Sequence, residues 1–119
     1  MKRSILAAAF TLMMANAAIA ECSVARFGFF RGQTSDTTMT VSSGASCGVI
    51  VHAGARSRFD SVSITSAPRN GTLSPRAGVG VTYRSKPGYR GADTFTFAVT
   101  GQLASGHGTA TIRVDVTVR

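Results

Sequence analysis

The sequence predicts an all-β fold: an antiparallel two-sheet sandwich of seven or eight strands, behind a cleaved leader. Three observations predict it. Apolar residues recur at every second position in several separate stretches, the period of a half-buried strand. Glycine, proline, serine and asparagine punctuate those stretches at regular intervals, as in sandwiches and barrels. After residue 20, no segment keeps helical periodicity for three turns. Thirteen glycines and abundant Thr and Val weigh further against helix.

The leader is residues 1–20. Lys2 and Arg3 give a positive start, and residues 5–14 are apolar except for Thr11. Ala18-Ile19-Ala20 places small residues where a signal peptidase needs them. The apolar run is short for a bilayer span, and no second run follows, so no stable membrane insertion is expected after cleavage. Residues 21–119 are then one exported domain, periplasmic or extracellular, large enough for one modest core. Early strands are expected at 23–30, 37–42 and 47–52. Val62 and Ile64 share a face in Ser61-Val62-Ser63-Ile64-Thr65, and residues 71–74 form a short strand after Arg69-Asn70. Val79, Val81 and Tyr83 align next, then Phe95, Phe97 and Val99. The longest alternation closes the chain, with Ala110, Ile112, Val114, Val116 and Val118 facing inward. Turn chemistry marks 42–44, 52–54, 68–71, 75–78, 87–88 and 101–108 as connections.

Without the leader the chain holds eleven basic residues and five acids, a net charge of +6, and ten of the eleven are arginines. They are scattered, so a nucleic-acid partner is not expected; an anionic envelope polymer or a protein is. Both cysteines survive cleavage. In an oxidising compartment Cys22 and Cys47 are expected to pair. The bridge would close a loop of 26 residues and stabilise by about 3.5 kcal/mol on the chain-entropy picture.

Three stretches in order carry a resemblance. Pro68, Gly71 and Leu73 form P-x-x-G-x-L, and Val81 and Tyr83 form V-x-Y. Gly88, Tyr89, Gly91, Asp93 and Phe95 then form G-Y-x-G-x-D-x-F, ahead of the alternating run 112–118. Over about residues 60–118 the sequence resembles the bacterial Ig-like domains of the cadherin-like class. Residues 22–59 show no such signature. The resemblance implies a Greek-key sandwich, commonly a spacer or adhesion module. The Trp and the inter-sheet cysteine pair of antibody domains are missing.

Gly88, Tyr89, Gly91 and Asp93 read as a structural corner. Pro87 fixes φ and the two glycines accept positive φ, so the chain turns sharply between sheets. The Tyr89 hydroxyl is expected to find a backbone acceptor. Asp93 is expected to accept bonds from backbone N–H groups of this same turn, with Arg90 close by.

Catalytic chemistry finds no footing. A hydrolase would have to pair His52 or His107 with Asp60 or Asp36, and no G-x-S-x-G elbow exists to supply a nucleophile. The acids are dispersed, so neither a metal nor any other cofactor is expected. In "RFGFFRG", alternation can bury Phe27 and Phe29 together and leave Phe30 on the other face, as in an edge strand packed on the core; the functional reading makes Arg26, Phe30 and Arg31 an exposed contact patch. The expected function is a small exported binding or adhesion module without catalysis. A structural subunit of a periplasmic or surface assembly is the alternative, and a small hydrolase comes last.

Overall fold

A computed structural model describes residues 20–28, 30–51, 58–76, 80–103 and 106–119. Residues 1–19 of the leader, Phe29, His52 and Val79 lie outside these residues. Among the described residues there are eight strands: β1 (Cys22–Val24), β2 (Thr34–Val41), β3 (Ser46–Ile50), β4 (Arg58–Ser66), β5 (Gly71–Arg76), β6 (Gly80–Ser85), β7 (Gly91–Leu103) and β8 (Gly106–Val118). They form a five-stranded sheet in the order β1-β2-β8-β7-β4 and a three-stranded sheet in the order β3-β6-β5. The pairing of β2 with β8 is parallel, and the other pairings are antiparallel.

The alternations select the faces. Phe95, Phe97, Val99, Ile112 and Val114 of the large sheet meet Val49, Val81 and Tyr83 of the small one, all fully or almost fully buried. The Tyr83 and Phe95 rings stack at 5.6 Å between centroids, and Phe97 lies tilted against Phe95. Val62 and Ile64 of β4 are only half-buried, as befits a strand at the sheet's edge. On the outer side of the large sheet, Thr94, Thr109, Arg113, Asp115 and Thr117 face water.

Four expectations need correction. The strand expected at 23–30 ends at Val24. Beyond it Ala25 N donates to Thr38 O, and Thr37 Oγ1 donates to Ala25 O, so the segment is tied to β2 outside any regular ladder. The second strand begins at Thr34, three residues before the expected start, because parallel pairing with β8 holds polar Thr34, Ser35 and Asp36 in line. The connection expected at 75–78 begins later, since β5 runs through Pro75 to Arg76. Pro75 lies in an edge strand, where a missing N–H is tolerated. Finally, 101–108 is strand on both sides of residues 104–105. The pairs Gly101–Gly108, Gln102–His107 and Leu103–Gly106 extend the hairpin.

Cys22 and Cys47 are bonded, with S–S 2.05 Å. The bond ties β1 of the large sheet to β3 of the small one. The two ends of the domain also meet. Glu21 Oε1 lies 3.6 Å from Arg119 Nη1, Ser42 N donates to Glu21 O, and Ser43 N donates to Arg119 O.

Candidate functional site

Asp93 is the third residue of β7 and points inward, in line with Phe95 and Phe97. An ionised carboxylate at the end of a core needs its oxygens satisfied. Here four donors do so. Arg69 N (3.0 Å) and Thr94 N (2.9 Å) reach Oδ1; Asn70 N (3.1 Å) and the Tyr83 hydroxyl (2.8 Å) reach Oδ2. The donors thus come from the turn between β4 and β5, from β6 and from β7 itself. The expected donors within 87–91 are replaced by backbone groups 23 and 24 residues earlier in the chain. Arg90 is exposed.

Tyr83 is fully buried. Burial first, and then its hydrogen bond to Asp93, push its phenol well above the usual tyrosine range. Its ring explains Gly71. A Cβ on Gly71 would stand 2.5 Å from Arg84 O and 2.9 Å from Tyr83 Cε1, so only a bare Cα fits against the ring. The three stretches that carried the resemblance are therefore one physical unit. The turn presents two N–H groups, the buried tyrosine an O–H, and the carboxylate receives all three.

The corner lies beside this node. Gly88 holds φ +82°, in the left-handed region that favours glycine, and Tyr89 N donates to Lys86 O to close the turn. The Tyr89 hydroxyl donates to Ala92 O, and its ring packs half-buried against the core. Gly91 sits under that hydroxyl, which its Cβ would meet at 3.1 Å.

The three residues of the expected contact patch, Arg26, Phe30 and Arg31, are all exposed. Arg26 is exposed, Phe27 packs against the core, and Phe30 is 53 % exposed. The stem of Arg31 lies over Gly108 of β8, and its guanidinium over Gly106. Within β8, His107 brings its Nε2 to 3.6 Å from Asp60 Oδ2. Both side chains stand largely in water, 63 % and 48 % exposed, which gives a general base no enclosed site. Asp36 lies on β2, beside Arg113 of β8 in the ladder. Among the described residues no three His, Cys, Asp or Glu side chains are placed to hold a metal ion.

An open groove of about 700 Å³ runs between the β4–β5 turn and the outer side of β7 and β8. Ser66, Ala67, Arg69 and Asn70 form one wall, and Thr94, Arg113, Asp115 and Thr117 the other. Asp115 accepts from Thr94 Oγ1 at 3.2 Å and faces Arg113 Nε at 3.8 Å. Arg69 bonds Asp93 through its backbone N–H, so that contact leaves its guanidinium uncommitted. Sequence reasoning missed the groove because its walls come from two distant segments whose side chains carry no motif.

Comparison with curated proteins and with solved structures yields no match. The family described as "Bacterial Ig domain" matches residues 31–117. The match reaches about thirty residues further toward the N-terminus than the resemblance, taking in β2 and β3. The match covers nearly three quarters of the chain and, with the two-sheet sandwich, makes this protein a member of the bacterial Ig domain family.

Proposed function

We propose that the chain is an exported, non-catalytic binding module that contacts an anionic component of the bacterial envelope. The observation that carries the reading is the bacterial Ig sandwich whose one inward carboxylate, Asp93, is taken up entirely by the fold. Bacterial Ig domains are generally non-catalytic and commonly surface-associated. Export is supported by the leader pattern of residues 1–20 and by the Cys22–Cys47 bond, which fits an oxidising compartment. Among the described residues no helix is long and apolar enough to cross a membrane. An anionic partner is supported by the net charge of +6 after the leader.

The test is retention of the purified domain on anionic envelope polymers at low salt, with release as ionic strength rises. Failure to bind at low salt would remove the anionic partner. A second reading, a subunit of a larger assembly, draws on one feature: β4 is nine residues long and, among the described residues, pairs only with β7. An edge of that length can accept a partner strand. Co-purification of a stoichiometric partner from the native envelope would favour it.

A further inference from the structure

We propose that the groove between the β4–β5 turn and the outer side of β7 and β8 binds acidic saccharide units, with Arg69 and Arg113 receiving the carboxylate. The proposal deepens the reading of the chain as an envelope-binding module and rests on it. Four charged side chains line the groove, Arg69, Arg113, Asp93 and Asp115, and formally they cancel. Their commitments do not cancel. Asp93 is 9 % exposed and holds four donors, so it offers a ligand almost nothing. Asp115 is engaged by Thr94 and Arg113. The guanidinium of Arg69 is spent on neither carboxylate, and Arg113 meets Asp115 through Nε, which leaves its outer nitrogens as donors. A planar guanidinium fork matches a carboxylate in a bidentate way.

The rest of the lining selects the ligand's body. Asn70, Ser66 and Thr117 offer amide and hydroxyl groups at short intervals, suited to the hydroxyls of a sugar ring. Ala67 and Ala92 add small apolar surface. Among the described residues no aromatic ring lines the groove. A nucleic acid would need such rings for base stacking and a longer cationic track for its phosphates. The volume of about 700 Å³ lies within the usual range for small-ligand sites and fits two or three sugar rings.

The experiment is an amide-resolved NMR titration of the intact oxidised domain with trigalacturonate, a neutral trisaccharide and inorganic phosphate. Trigalacturonate is expected to shift the amides of Asn70, Thr94, Arg113 and Thr117. It should bind at least tenfold more tightly than the neutral sugar. Arg69→Gln and Arg113→Gln should each weaken it at least fivefold. Arg76→Gln, which removes the same charge from an exposed site outside the groove, should change affinity less than twofold. Equal weakening by Arg76→Gln would overturn the proposal in favour of diffuse charge, and so would shifts centred elsewhere. Phosphate binding as tight as trigalacturonate would remove the saccharide from the assignment. Retention on envelope polymers, measured on the same variants, separates the two levels. If Arg69→Gln/Arg113→Gln is retained like the parent, the groove fails and the envelope reading stands. If even the parent is not retained, the envelope reading itself fails. Unchanged amide dispersion in each variant confirms that folding is not what was lost.

Discussion

The Tyr83 hydroxyl donates to Asp93 Oδ2 at 2.8 Å, across the gap between the two sheets. One donor therefore comes from the small sheet, while the carboxylate belongs to the large one and also holds the turn that joins them. Breaking this node should loosen the sandwich as a whole.

Asp93→Asn keeps the shape but turns an NH₂ group toward donors that need an acceptor. With four donors on the carboxylate, the loss is expected to be about 3 kcal/mol, the scale of charged hydrogen bonds left unmet. Urea unfolding checks it: the midpoint should fall while the slope stays constant.

Tyr83→Phe removes one donor and should cost about 1–2 kcal/mol at neutral pH. It also tests a pH dependence. Folding raises the Tyr83 pKa above its unfolded value of 10.0. The stability tied to the protonated phenol is thus fully present below pH 10 and declines as pH rises beyond it. The slope cannot exceed about 1.4 kcal/mol per pH unit for one group. Unfolding midpoints from pH 8 to 11 should show a decline that Tyr83→Phe abolishes.

Much of this was readable in the residues beforehand, and the failures have causes. The run from Ala110 to Val118 declared its face because every second residue is apolar. The extension of β7 and β8 across 101–108 did not, because Gly101, Gly106 and Gly108 carry no hydrophobic signal and Gln102 and His107 face water. Thr34 to Asp36 were missed for a similar reason: a parallel neighbour, and no apolar face, keeps them extended. Asp93 was legible as an acceptor of backbone N–H bonds. Its donors were not, since the N–H groups of Arg69 and Asn70 look the same whatever side chains accompany them.

Reducing the Cys22–Cys47 bond frees β1 from β3. A 26-residue loop predicts a loss of about 3.5 kcal/mol on the chain-entropy picture. The Cys22→Ser/Cys47→Ser variant should unfold at a correspondingly lower urea concentration than the oxidised parent.

Gly71→Ala should destabilise by more than about 2 kcal/mol. The added methyl would meet the Arg84 carbonyl at 2.5 Å, and backbone cannot swing aside as a side chain can. Gly48→Ala is the contrast. Its Cβ would find only Val81 O, at 3.8 Å, so it should change stability by less than about 0.5 kcal/mol. Thermal melts of the two variants side by side decide the matter.

Glu21 and Arg119 stand together at one pole, and the β7–β8 hairpin reaches toward the other. Ends that meet in this way can be joined without stretching the sandwich between them. Joining these two ends with a few residues and reopening the chain at the far hairpin should yield a rearranged gene product with the same fold.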